Sequence, residues 1–284
     1  MPQPKDGREE GTSTAQIVAC LRLFVADDQI TELRILNAGR AGTVSGYFSD
    51  IDCMAKAAAR WSGRAPAVYF TPNPINPALL ARAKNRLLEH AKSTTGDADI
   101  TRRRWLLIDF DPKRPSAISA TDVEHQAAID CAVRCRDWLS SDGWPSPILA
   151  DSGNGAHLNY LIDLPNDQVS TDLIQQCLKA LDWMHSDDAV EVDITTFNAG
   201  RLLKLYGTMA CKGDSTPDRS HRIAKILKVP ERLVTVPVDL LAALAARAAN
   251  RSTGTVTKGS GNIRILAIRC DRSGVESPLQ ASVP

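Results

Sequence analysis

Apolar residues recur along this chain with two periods, and the switches between them mark out its elements. Residues 1–13 are polar and read as a flexible leader. After Ser13 and Thr14, which can cap a helix, the run AQIVACLRLFVA has helical spacing. ITELRIL alternates as a strand does and places Glu32 and Arg34 on one face. A turn at Gly39 and Gly42 leads to SGYF, and Asp50 opens a helix that runs to Trp61. PAVYF predicts a strand, stopped by the breakers of TPNPINP. The spacing from Ala78 to about Lys92 predicts another helix, with Leu80, Leu87 and Ala91 on one side and Arg82, Arg86 and His90 on another.

A polar loop from Ser93 to Asp99 and three arginines, Arg102 to Arg104, precede the strand WLLIDFD. A long helix follows from about Thr121 to Leu139, closed by Asp142-Gly143. SPILADSG and AHLNYLIDLP predict two strands joined at a tight SGNG turn. Ser170 is placed to cap a helix through about Trp183. AVEVDI, RLLKLYGT and HRIAKILKV predict strands, and DLLAALAARAA an amphipathic helix. From Arg251 the chain turns rich in Ser, Thr and Gly, as a linker or tail does, and IRILAIRC could form a late strand. No internal repeat is visible.

The alternation lacks the rhythm of a doubly wound sheet. An α+β protein is expected, with a leader over 1–13, an N-terminal αβ module over 14–100, a second module over 101–248 and a tail over 249–284. At 284 residues with 43% hydrophobic and 24% charged, the chain can build an ordinary core without disulfide or metal staples. Thirty-four basic against 33 acidic residues give a net charge of +1, which excludes a uniformly basic binder but not a local basic patch. No stretch approaches 18 apolar residues and the N-terminus has no apolar core, so a soluble, cytoplasmic protein with no membrane partner is expected. The seven cysteines include no CxxC pair, and so indicate neither a disulfide framework nor a zinc ribbon. Cys131 and Cys135 stand one helical turn apart, which suits a metal but suits two buried thiols better.

Candidate chemistry begins with Asp109 and Asp111. Two apart at the end of an apolar strand, they share a face while Phe110 points into the core. Like charges that close repel by roughly 4 kcal/mol at an effective dielectric near 20, and a divalent cation or a shared proton would relieve this. The alternative is a strand-end pair that simply faces water. Asp193, with Glu191 on its face and Val192 opposite, would complete a hard-oxygen site for Mg²⁺ or Mn²⁺ if its strand neighbours LLIDFD. The alternative is that Asp193 or Glu191 caps the next turn. Ser152, Gly153, Asn154 and Gly155 could cradle phosphate oxygens with free backbone N–H groups, and His157 is placed to donate to a triphosphate. The same turn also reads as a plain tight hairpin. Arg201 and Lys204 could neutralise phosphate, sharing a face only if their segment starts as a turn or bulge, and Lys212 is a looser candidate. Arg82, Arg86 and Arg103 are candidate contacts to a template backbone, or else solvated surface.

The order of these signals resembles the archaeo-eukaryotic primase superfamily, in particular the primase-polymerases of phages, plasmids and mobile elements. Its hhhDhD motif resembles Leu106 to Asp111, its SGxGxH motif resembles Ser152 to His157, and its aspartate after an apolar stretch resembles Asp193. The segment from Asn198 through Arg201 and Lys204 to Thr208 is similar in style, as are the upstream Glu32-Leu33-Arg34, Ser45 to Phe48 and Asn73-Pro74 elements. The resemblance covers most of residues 20–240. It implies a small αβ module packed on an RRM-like catalytic module, with the site in the cleft between them. It further implies metal ligation by Asp109, Asp111 and Asp193, with the incoming triphosphate held by the Ser152–Gly155 turn and His157, assisted by Arg201 and Lys204. The zinc-binding inserts of some relatives have no counterpart here, and no GxxxxGK[ST] occurs, so any replicative helicase would act in trans.

The function expected is therefore template-directed nucleotidyl transfer, as a DNA primase, a DNA polymerase or both. It would take dNTPs or NTPs on single-stranded DNA or a primer-template, in replication of a mobile element. The alternatives are a gap-filling or end-joining repair polymerase, a non-catalytic replication-initiator module that binds DNA, and a metal-dependent nuclease. All the polymerase readings require Asp193 to stand beside Asp109 and Asp111.

Overall fold

The computed structural model describes residues 7–252, with side chains over 14–248. In chain order the elements are α1 (Gly7–Phe24), β1 (Thr31–Ile35), β2 (Val44–Phe48), α2 (Ile51–Trp61), β3 (Val68–Phe70), β4 (Arg103–Pro112), α3 (Asp122–Ser141), β5 (Ile148–Asp151), β6 (Ala156–Leu164), α4 (Gln168–His185), β7 (Val190–Val192), β8 (Leu203–Lys204), β9 (Met209–Ala210), β10 (Arg222–Ile223), β11 (Lys225–Lys228) and α5 (Val238–Ser252). They build an α+β fold of two larger antiparallel sheets, ordered β2-β1-β3-β8 and β11-β5-β6-β4-β7, with a small β9-β10 ribbon. The first sheet takes its last strand from a segment that follows most of the second.

Strand β4 explains how the two sheets meet. Its even residues, Leu106, Ile108 and Phe110, enter a core formed with α3, α4 and α5 on one face of the five-stranded sheet. Its odd residues Trp105 and Leu107 join a second core with α1, α2 and the four-stranded sheet on the other face. The next odd residues are Asp109 and Asp111. One face of one strand thus passes from buried contact to an open cleft within four residues. Truncating Phe110, fully buried, would cost about 3–5 kcal/mol.

Asn73 fastens this junction. Its side-chain carbonyl accepts from the Arg104 and Trp105 amides, at 2.7 and 3.1 Å, and its amide donates to Ala199 O at 2.9 Å. One buried side chain thereby joins the loop after β3, strand β4 and the segment leading into β8.

Several local expectations are corrected. The first helix begins at Gly7 rather than after Ser13 and Thr14. The helix expected from Ala78 to Lys92 is absent: only Pro77–Arg82 coils, as a 3-10 turn. Beyond it the chain runs beside β2, where Tyr47 N donates to Ala83 O and Ser45 and Leu88 exchange backbone bonds. Edge pairing overrides the helical pattern because β2 otherwise exposes an unpaired row of backbone groups. Gly46 permits the approach, since a Cβ there would lie 1.9 Å from Arg86 O. Asn85 and His90 adopt positive φ, which ends any helical run. Arg82, Arg86 and His90 therefore share no helical face. The cap of α4 is Asp167, which accepts from Ser170 N at 2.8 Å, so Ser170 lies inside the first turn. HRIAKILKV splits at buried Ala224 into β10 and β11.

The six cysteines among the described residues are free, and Cys131 and Cys135 are buried on α3. Among these residues no helix is long and apolar enough to cross a membrane. The IRILAIRC strand lies outside the described residues, as does Cys270.

Candidate active site

A cleft of about 440 Å³ lies between the two sheets. One wall comes from the five-stranded sheet. Asp109 on β4 pairs with His157 on β6, which pairs with Ala150 on β5. On the other side of β4 the Phe110–Val192 register continues to Asp193, whose N–H donates to Asp109 O at 2.9 Å. Residues directly opposite in an antiparallel pair share a face, with Cβ atoms about 5 Å apart. The row His157–Asp109–Asp193 is the result, with Asp111 one pleat further along, and all four line the cleft. Glu191 stands opposite Asp111 in the same register and is exposed.

The opposite wall comes from the four-stranded sheet. Arg34 on β1 pairs with Tyr69 on β3, and Tyr69 pairs with Lys204 on β8. This second row also lines the cleft, flanked by Arg201 and Lys212. An acidic row therefore faces a basic and aromatic one.

The charges are unevenly balanced. Burial alone would raise the Asp109 carboxyl, but the charge and hydrogen bond of His157, with Arg201 and Lys212 behind, pull it below the usual range. The Asp109 charge drives the Asp111 carboxyl upward, with burial adding to it and Lys212 and Arg114 opposing. The pair thus keeps an unrelieved repulsion. Burial pushes the Lys204 ammonium down to about 7, with Lys212 adding a smaller push. Its Nζ donates to Met209 O at 2.9 Å and stands 5.9 Å from the centre of the Tyr69 ring.

Two hard-oxygen donors on one face, still repelling each other, suit a divalent cation. Asp193 suits it less well as it stands. Its Oδ1 accepts from Thr195 N at 2.7 Å and its Oδ2 from Arg201 Nη2 at 2.7 Å. Asp193 therefore caps the 3-10 turn Ile194–Phe197 and forms an ion pair in addition to standing in the row. Among the described residues no three His, Cys, Asp or Glu side chains are gathered to hold one metal ion. Asp193 therefore stands beside Asp109 and Asp111 as expected, but its carboxylate is held by Thr195 N and Arg201.

His157 takes a different position from the one expected. It is 4% exposed; its Nδ1 lies 2.7 Å from the Tyr206 hydroxyl and its Nε2 lies 3.3 Å from Asp109 Oδ1. Asn159 Nδ2 donates to the Tyr206 oxygen at 3.1 Å. Tyr206 thereby joins Asn159 to His157 Nδ1, and the other ring nitrogen faces Asp109. His157 thus orients Asp109 from within the row while lining the cleft.

The SGNG turn is corrected likewise. Ser152 N donates to Gly155 O, Gly153 N to Asp151 Oδ1, and Gly155 N to Ser152 Oγ. Three N–H groups of the supposed cradle are consumed inside the hairpin. The glycines serve close packing: a Cβ on Gly155 would stand 2.2 Å from Phe110 O, and one on Gly153 2.7 Å from the Ala210 side chain. Ser152 and Asn154 still line the cleft. Arg201 precedes β8 rather than lying in it, which lets it share the cleft with Lys204.

Of the candidate template contacts, Arg103 is 4% exposed and donates to Phe197 O and Thr171 Oγ1 at 2.7 and 2.6 Å. It holds the sheet to α4 and cannot meet a nucleic acid. Arg82 donates to the Tyr47 hydroxyl at 3.1 Å, and Arg86 is exposed on the segment beside β2. Reading the sequence alone missed Tyr69 and Tyr206 as residues of the site; alternation in PAVYF carried Tyr69's face but nothing indicated its partner strand.

No family model matches this chain, and no curated protein matches it. Among solved structures it is similar to one described as a primase. That protein is the primase RepB′, matched at 11% identity and a TM-score of 0.46 over 85% of this chain. The chain spans 63% of the length of that structure. At this score the likeness identifies neither family nor activity.

Proposed function

We propose that this cleft binds a nucleoside triphosphate and that the protein is a template-directed nucleotidyltransferase, acting as a DNA primase, a DNA polymerase or both. The observation that supports this reading is the pairing of two walls. Asp109 and Asp111, beside Asp193, face Lys204, Arg201 and Lys212 across one cleft. Carboxylates alone would suit many metal sites, and cations alone many anions. A triphosphate with its divalent ion needs both, a few ångströms apart.

Asp109 and Asp111 would hold Mg²⁺ or Mn²⁺. When bound, that ion supplies neutralisation of phosphate charge and activation of a 3′-hydroxyl. His157 keeps Asp109 ionised and fixed in orientation through the bonded chain behind it. Lys204, Arg201 and Lys212 neutralise the phosphates. An Arg201 drawn toward phosphate would release Asp193 Oδ2 to face the other two carboxylates.

The test is incubation with single-stranded DNA, labelled dNTPs or NTPs and Mg²⁺ or Mn²⁺, with and without a primer. Polymer that disappears with EDTA and with Asp109→Asn is expected. Extension only with a primer would select the repair-type polymerase. The tie between Asp193 and Arg201 favours one second reading, a module that binds nucleotide or DNA without catalysis. Nucleotide binding without any incorporation, primed or unprimed, would select it and reject the enzyme.

A further inference from the structure

Glu32 and Arg34 form the element of the sequence that the proposed function leaves unused. Glu32 is 0% exposed, a costly place for a carboxylate unless every oxygen is satisfied. It is satisfied: Arg34 Nε donates to Oε1 at 2.9 Å and Nη2 to Oε2 at 2.5 Å, Thr95 N donates to Oε2 at 3.0 Å, and Ser45 donates to Oε1. Arg34 Nη2 also donates to Thr95 O at 2.9 Å. The guanidinium is thus fastened at one edge to Glu32 and the Thr95 carbonyl, and through Glu32 to Ser45 on β2, while lining the cleft.

This arrangement makes Arg34 a poor phosphate clamp. The forked edge that grips phosphate in two bonds is already gripping Glu32, and the opposite charge in contact largely cancels its field. What an arginine so held still offers is its flat face, and an immobile guanidinium plane stacks on aromatic rings. The cross-strand row sets the spacing. Arg34, Tyr69 and Lys204 occupy adjacent strands about 5 Å apart, so Arg34 stands about 10 Å from Lys204 along the row. A group gripping phosphate at Lys204 and a group at Arg34 must touch different parts of one nucleotide.

We infer that the Arg34 guanidinium, fixed by Glu32, is a stacking platform for the base of a nucleotide whose phosphates lie at Lys204, Arg201 and Lys212. The inference rests on the nucleotide-binding reading of the cleft. Glu32 is then a positioning residue, and Tyr69 lies between the platform and the phosphate end, level with the sugar.

The experiment separates base from phosphate. Binding of Mg²⁺-dATP, Mg²⁺-deoxyribose triphosphate lacking a base, and Mg²⁺-tripolyphosphate is measured by calorimetry on the full chain. Wild type is expected to bind dATP roughly tenfold or more tighter than the base-free triphosphate. Arg34→Lys keeps a charge for Glu32 and removes the plane. It should weaken dATP binding by about tenfold, leave tripolyphosphate within twofold, and leave the salt dependence unchanged. Lys204→Met should weaken all three ligands. Equal wild-type affinity for dATP and the base-free triphosphate would overturn the platform while the phosphate site stands. So would an Arg34→Lys variant that loses dATP and tripolyphosphate alike. Should Arg34→Lys fail to fold, the wild-type comparison decides alone. Wild type that binds none of the three overturns the proposed function and this inference with it.

Discussion

The two walls of the cleft differ in how their side chains are assembled. On the acidic wall, Asp109 and Asp111 come from one strand, and Asp193 is fixed beside them by a backbone bond to that strand. On the basic wall, Arg34, Tyr69 and Lys204 come from three strands far apart in the chain, aligned only by register. The acidic row carries mutual repulsion, and the opposite wall carries a lysine with no carboxylate beside it. Each wall is electrostatically incomplete alone, which is what the proposed metal–triphosphate ligand would complete.

The largest effect should come from the acidic row. Asp109→Asn and Asp111→Asn are each expected to reduce nucleotide incorporation by about 10²-fold or more, measured as labelled polymer. Asp111→Asn should at the same time raise the melting temperature in EDTA, because it removes the repulsion that raises the Asp111 carboxyl. Adding Mg²⁺ should reduce that advantage. A lower melting temperature in EDTA would show that the row is not repulsive.

Lys204 gives the matching test on the other wall. Its folded pKa, about 7, lies below its ordinary 10.5, so the buried charge costs stability. Below pH 7 both folded and unfolded chains hold the proton and the cost is complete. Between pH 7 and 10.5 the unfolded chain still holds it while the folded chain has lost it, so stability rises with pH. Lys204→Met should therefore melt about 3 °C or more higher at pH 6, with the gain fading toward pH 10.5, while dNTP binding falls. A gain independent of pH would remove the buried charge from the explanation.

A smaller effect is expected between the walls. Arg201→Gln frees Asp193 Oδ2, now 2.7 Å from the guanidinium, and should tighten Mg²⁺ binding in the absence of nucleotide while weakening dNTP binding. Titration of both ligands checks this, and parallel losses would contradict it. Smallest of all, Arg86→Ala should leave DNA affinity within about twofold between 50 and 200 mM salt, since no basic helical stripe exists for it to belong to. A steep loss would restore that face as a contact.

What could be read from the sequence follows the same division. The face shared by Asp109 and Asp111, the helix starting at about Thr121 and the SGNG hairpin were legible because each is decided within a few residues. Thr121 even forms a reciprocal capping box with Glu124. Register between distant strands is not local, so Tyr69 and Lys204 gave no sign of standing together. The 78–92 segment misled for the opposite reason: its helical pattern was real, but the open edge of β2 outcompeted it. Residues 152–157 misled in chemistry rather than in structure. Their glycines admit Phe110 O and Ala210, and three of the backbone donors close upon their own hairpin.

Asn73 has a consequence for motion. Because one amide binds the loop after β3, the start of β4 and the approach to β8, the spacing of the walls beside Trp105 is set by a single side chain. That side chain acts as a pin between the two walls. An Asn73→Asp exchange, which keeps the shape but removes the donor to Ala199, would loosen that pin and blur the alignment of the two rows.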